Sequence, residues 1–316
     1  MRKYGSKPSN HVMYVPRSLH GMRTKSSCCS VVKVTGLFIV LSNVKRLHME
    51  MISEVVKNKE LLTKIYGDLA QPGVQEVGKA LKTILGLGNT ILWPVALANE
   101  KAKFTLQQNL NKYREKIEDI PEDKVVEVTP EIGVPVLEKL TYVNNEELRE
   151  LYLELLSKAS NKDKVDAAHP SFVNIINNLS PDEALILQLL RDENTHPFIE
   201  VRLSQDSGGY SVIDPIFSVL KTPTPLTYKK NVGAYLSNLE GLGVIKLHPD
   251  NYLTNEKKYT EAEELAKKKY GTLASSSNRK LTLNRGHFNL TSFGSLFIKA
   301  CIPERKVEEV RLTFSL

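Results

Sequence analysis

Apolar and polar residues recur with a helical period along most of this chain. Val74, Val77, Leu81, Ile84, Leu85, Gly88, Leu92 and Val95 fall on one arc of a helical wheel, with Gln75, Lys79, Lys82 and Asn89 largely outside it. That pattern predicts an amphipathic helix. Gly86, Gly88 and Pro94 weaken or kink it, with the bend expected near Trp93-Pro94. From Glu100 to Asp119 the chain is highly charged and carries Leu106, Leu110, Tyr113 and Ile117 at three- and four-residue spacing. So narrow a seam suits a long helix packed by one edge. Ile120-Pro121 ends it, and Pro121–Thr129 reads as an extended linker.

Capping chemistry marks the next helices. Thr129-Pro130 opens one over Glu131–Leu140, and Asn144 with Glu147 at N3 opens another over Asn145–Ser160. His169-Pro170 starts a short helix ending near Leu179. Ser180-Pro181-Asp182-Glu183 supplies N-cap, N1 proline and N3 glutamate for Asp182–Asp192. The period then changes. Phe198–Leu203 alternates, Gly208-Gly209 supplies a turn, and Tyr210–Ile213 is its expected partner strand. Val232–Val244 reads as a helix closed by Gly241 and Gly243, and Lys257–Lys269 as another. Leu281–Leu283 and Asn289–Thr291 are expected to pair as a hairpin, with Phe293, Leu296 and Phe297 packing after it. The expected fold class is mainly α with a C-terminal α+β part: helical N-terminal and central blocks followed by a winged-helix-like unit.

Charge and cysteine usage refine this division. The chain has 43 Lys and Arg, 36 Asp and Glu, and a formal charge of +7. Residues 1–48 hold nine of the basic residues and no acidic one, leaving 34 basic against 36 acidic residues in 49–316. The body therefore lacks a broad electrostatic footprint for a phosphate backbone. Of three cysteines, Cys28 and Cys29 are adjacent and Cys301 stands alone, so neither a disulfide framework nor a zinc site is indicated. The leader contains one apolar run, Val31–Ser42, broken by Lys33 and Thr35. It competes as a secretory h-region, as a membrane anchor shorter than the ~20 residues a span needs, or as translation upstream of a start at Met49 or Met51. The last is the reading we favour. The divisions expected are a leader over 1–48, an amphipathic helical region over 49–120, and a helical block with the winged-helix-like part over 121–316.

Several stretches together resemble the abortive infection alpha family of bacteria. They are YGDLAQPGVQEVGKAL (Tyr66–Leu81), the Ile-Leu-Trp-Pro run with NEKAK after it, VTPEIGVPVLEKLTYV with EELRELYLELLSKA, HPSFVNIINNLSPDEALIL (His169–Leu187), AYLSNLEGLGVI, and LTSFGSLFIKAC (Leu290–Cys301). The resemblance spans about residues 52–303 and excludes the leader. It implies phage resistance by abortive infection, in which an infected cell stops growing or dies before phage are released. No catalytic residue comes with it.

Local chemistry adds little to that. Asp166, His169 and Ser171 offer a superficial triad, but residues so close in sequence rarely converge on nucleophile, base and orienting group. His169 is expected to cap or pack, and Asp182 and Glu183 to complement a helix dipole. His196, His248 and His287 show no ligand-pair spacing, and no glycine run forms a phosphate loop, so no metal and no cofactor is expected. Two binding readings remain. Lys79, Lys82, Ile91, Leu92 and Trp93 suit a membrane interface, against the blander alternative of a buried helix hairpin. Lys229, Lys230, Arg279, Lys280 and Arg285 suit nucleic acid, with the first two before a recognition helix and the others in a wing. However, Leu236, Leu239, Glu240 and Leu242 leave that helix mostly apolar or acidic. The expectation is a non-catalytic defence protein of the bacterial cytoplasm, peripheral to the inner membrane at most, with an enzyme whose site is assembled from residues distant in sequence as a further alternative. Its partners would be other proteins or further copies of itself, ahead of a membrane surface, with nucleic acid the less favoured alternative.

Overall fold

Glu100–Glu118 (α2) shows how this chain builds its core: a mostly polar helix that buries Leu106, Leu110, Tyr113 and Ile117 along one seam. A computed structural model describes residues 75–87, 100–222 and 224–304, with the side chains of 85–87 excepted. The leader, the starts at Met49 and Met51, and the expected kink at Trp93-Pro94 lie outside the described residues. Before α2 runs Gln75–Leu87 (α1), which buries Val77, Ala80, Leu81 and Ile84 and leaves Lys79 and Lys82 exposed. Pro130–Leu140 (α3) follows, and the Asn109 amide of α2 donates to the Leu140 carbonyl at its end, 2.7 Å away.

Glu146–Ala159 (α4) is the hub, packing on α1's neighbours α2 and α3 and on three later helices. Buried residues surround it on nearly every side, as in a helix enclosed by others. Its N-cap is Asn145, whose side chain accepts from Leu148 N–H at 3.0 Å, one residue later than the sequence suggests. The helix starts at Glu146, which makes Asn145 the N-cap and Leu148 the N3 residue whose N–H it bonds. Thr129 holds the N-cap backbone position of α3, yet its side chain makes no cap bond and Pro130 alone marks the start. Ser171–Asn177 (α5) and Pro181–Asp192 (α6) complete the helical block, and α6 begins with the full Ser180–Glu183 capping box.

Thr195–Ser204 (β1), Tyr210–Phe217 (β2), Ile245–His248 (β3) and Lys280–Leu290 (β4) form an antiparallel sheet in the order β2-β1-β4-β3. The hairpin expected from Leu281–Leu283 and Asn289–Thr291 is absent; Leu281–Leu290 lies in one strand, paired along its length with β1 from Thr195–Asn289 to Ser204–Lys280. A Cβ at Gly286 would sit 2.6 Å from Phe198 Cζ and 2.9 Å from the His248 carbonyl, so glycine serves close approach inside the strand.

Three helices flank this sheet. Val232–Gly241 (α7) ends in a Schellman motif, with Gly243 at φ +74°, Val244 N–H bonded to the Leu239 carbonyl and Gly243 N–H to that of Glu240. Thr260–Ser276 (α8) covers one face, where Ile199 and Val201 pack with Tyr259, Ala262 and Ala266 as a separate small core. Phe198 and Phe288 point to the other face and join the large core of the helical block and Ser292–Cys301 (α9). The fold is thus helix-rich with one curled antiparallel sheet near its C-terminal end.

Candidate functional site

Charged side chains line two of the concave regions among the described residues. The larger, of about 530 Å³, lies between α2 and α4 and is closed by Pro303 and Glu304. Lys116 reaches Glu150 at 3.2 Å and Glu154 at 3.1 Å, while Lys158 reaches Glu154 at 3.1 Å and Glu304 at 3.2 Å. Burial works against charging Lys116, but Glu154 and Glu150 outweigh it and hold its pKa above the ordinary lysine value. Lys158 follows the same logic, with Glu154 and Glu304 overcoming the effect of burial. Each of these lysines is thus neutralised within the cleft, while Glu115 and Asp119, which also line it, join no ion pair among the described residues.

The second, of about 420 Å³, is a groove between β2 and the start of α7. Its base is set where Gly233 lies on the Ile216 carbonyl, which a Cβ would approach to 2.9 Å. Lys229 and Lys230 lie on a 3-10 turn over Lys229–Asn231 immediately before α7 and line the groove, as does Lys269 of α8. Neither the Lys229 nor the Lys230 side chain has an ion pair or hydrogen bond among the described residues. Lys269 lies 3.6 Å from Asp214 and sits over the Phe217 and Tyr270 rings at 5.3 and 4.7 Å. The Tyr270 hydroxyl donates to Asp214 at 2.6 Å.

Asp182 fixes the rim of this groove. Its carboxylate accepts from Thr227 N–H and Tyr228 N–H at 2.9 Å each and from the Tyr235 hydroxyl at 3.0 Å. Burial pushes its pKa up, yet the Thr227 and Tyr228 amides and the Tyr235 hydroxyl outweigh that and hold it below the ordinary aspartate value. Asp182 therefore does more than complement a helix dipole: it ties α6 to the segment that presents the two lysines. Glu183 accepts from Asn238 of α7 at 2.7 Å as well as serving the capping box. No local sequence signal announces either contact, since the partners lie about 45 to 55 residues away.

The remaining residues singled out from the sequence separate in space. Arg285 is committed to Glu263 at 2.7 Å and Glu256 at 3.2 Å, with its guanidinium over Tyr259. Arg279 reaches Ser211 Oγ at 3.4 Å, and Lys280 pairs with Ser204 at the opposite end of β1 from the His196–Phe288 pair. Lys79 and Lys82 stand exposed on α1, and Ile91, Leu92 and Trp93 lie outside the described residues. His169 accepts from Ser171 N–H at 3.1 Å and packs its ring near Phe172 and Phe293, while Asp166 is exposed on a different turn. The sheet register does unite His248 and His287, stacked with centroids 4.8 Å apart, which spacing alone gives no reason to expect. Among the described residues no three His, Cys, Asp or Glu side chains gather as a metal site. Cys301 is buried, and burial pushes its thiol well above the ordinary value.

A family model described as abortive infection alpha matches residues 105–301, which include α3 to α9, the whole sheet, the β2–α7 groove and all of the larger cleft but Pro303 and Glu304. No curated protein matches the chain. One similar solved structure is an uncharacterized protein from the hydrocarbon-degrading marine bacterium Alcanivorax borkumensis SK2. It is 17% identical with a TM-score of 0.29, and the match covers 44% of this chain and 94% of that one.

Proposed function

Because the chain belongs to the abortive infection alpha family, we propose that it serves phage defence as a non-catalytic sensor or effector that acts by binding and conformational change. Family membership supports the defence role. The observation that favours binding is the contrast between the two concave regions: the larger one pairs each of its lysines with a carboxylate, whereas the groove keeps the Lys229 and Lys230 side chains unpaired among the described residues. Chemistry on a bound substrate needs a base within reach of a nucleophile. His169 is engaged instead by a backbone amide and two aromatic rings.

The test is expression of the full chain, and of Met51–Leu316, in phage-challenged cells while protection, culture survival and membrane potential are scored together. Protection with loss of the infected cells is expected. Unchanged phage yield from both forms at normal protein level would remove the defence role. Early depolarisation would favour peripheral action at the inner membrane, for which Lys79 and Lys82 on the polar side of α1 are the supporting feature. No helix among the described residues is long and apolar enough to cross a membrane.

A second reading is a winged-helix-like nucleic-acid-binding regulator. It is favoured by the succession of β1, α7, β3 and β4, with β4 lying between β3 and β1. Against it, the exposed face of α7 offers Ala234, Ser237 and Gly241, and β2 crosses the N-terminal end where a recognition helix meets base edges. We therefore rank it second. Its gel-shift test is simple: no retardation of duplex DNA at low salt ends it.

A further inference from the structure

We propose that the groove between β2 and α7 binds a phosphorylated small molecule of nucleotide size, with Lys229 and Lys230 taking the phosphate and Asp214 accepting from hydroxyl or amino groups of the same ligand. The proposal extends the sensor reading by giving it a ligand class.

Size is the first support. A groove of about 420 Å³ falls within the range of pockets that hold small ligands, roughly 300–1,000 Å³. Charge is the second. Lys229 and Lys230 are consecutive residues of one 3-10 turn, both line the groove, and their ammonium groups have no carboxylate partner among the described residues. Two like charges held together favour an anion, and concave low-dielectric walls strengthen the attraction. Their turn is also held in place beforehand, because Asp182 fastens the preceding Thr227 and Tyr228 amides to α6. Less ordering therefore remains to be done when a ligand arrives.

The other wall has different chemistry. Asp214 receives the Tyr270 hydroxyl and Lys269 on the same oxygen, Oδ2. Beside it the Phe217 ring lines the groove with Lys269 over it, a combination suited to a planar heterocycle. One end of the groove thus favours negative charge and the other favours hydrogen-bond donors and a ring. A nucleoside phosphate carries all three features.

A nucleic-acid strand fits less well. A polymer needs cations spaced along a track. Here Arg285 is paired with Glu256 and Glu263, and Arg279 and Lys280 lie at the far end of β4, next to Ser211 and Ser204.

The test uses the full-length protein, titrated with ADP, pyrophosphate, inorganic phosphate and a long oligothymidylate by calorimetry. One-to-one saturable binding of ADP is expected, with pyrophosphate competing more weakly. Lys229→Met/Lys230→Met should weaken ADP binding about tenfold or more without changing the thermal midpoint. Asp214→Asn should weaken ADP more than pyrophosphate. Absence of ADP and pyrophosphate binding overturns the proposal, as does unaltered ADP affinity in the double lysine variant. Salt-sensitive oligonucleotide binding that ADP does not displace also overturns it, in favour of a strand. Because phage protection is not the readout, failure of this site and failure of the defence role are distinguishable.

Discussion

The α2–α4 cleft and the β2–α7 groove are both lined by lysines and carboxylates, yet they differ in what those charges face. In the cleft, Lys116, Glu154, Lys158 and Glu304 form a chain in which each ion meets its opposite. In the groove, Asp214 holds Lys269 loosely and the side chains of Lys229 and Lys230 meet no partner among the described residues. Charge content alone would rank the cleft first as a functional site. Unpaired cations rank the groove first, because a paired ion has already exchanged its water for a partner and has little left to offer a ligand.

Substitutions sharpen that contrast, and the largest effect is expected at the groove's rim. Asp182→Ala leaves the Thr227 and Tyr228 amides without their acceptor and should cost about 3 kcal/mol in urea unfolding. Amide exchange should rise over 226–231. A cost below about 1 kcal/mol would mean that the dilysine turn is held by something else.

The same carboxylate carries a pH signature. Its pKa is held below the ordinary aspartate value in the folded chain. Its stabilisation is therefore complete above that ordinary value and disappears as pH falls through the depressed one. Unfolding measured across the acid range should show a steeper decline for the unmodified chain than for Asp182→Asn.

Next in size is Lys158→Met, expected to cost about 2 kcal/mol because Glu154 stays buried with only Lys116. Adding Glu154→Leu should recover part of that loss. Recovery would identify the cleft as architecture; continued loss of phage protection in a restored double variant would make it a working site and break the contrast. Glu304→Gln, at an exposed carboxylate, should shift stability by about 0.5 kcal/mol or less. The smallest effect belongs to Lys229→Met/Lys230→Met, within about 0.5 kcal/mol in thermal unfolding. A large destabilisation there would show that these lysines hold structure after all.

Much of the helical block was legible because its signals are local. The seam from Leu106 to Ile117, the Ser180–Glu183 box and the Gly243 stop each declare themselves within a few residues. The alternating Phe198–Leu203 stretch likewise gave β1 its place. Leu281–Leu290 was not legible as one strand because its ten partners on β1 lie far away along the chain. The groove was half legible. Lys229 and Lys230 were visible as a basic pair, but Asp182, Asp214 and Lys269 join them only through contacts far apart along the chain.

The helix between β3 and β4 has an architectural consequence. Ile199, Val201, Tyr259, Ala262 and Ala266 form a core of their own, distinct from the larger one on the opposite face of the sheet. Replacing residues 249–279 with a short turn would strip a lid from one side of the strands while sparing the packing beneath the other. The trimmed protein should keep its helical block yet acquire a sticky apolar strip around Ile199 and Val201, so its first symptom would be clumping rather than melting.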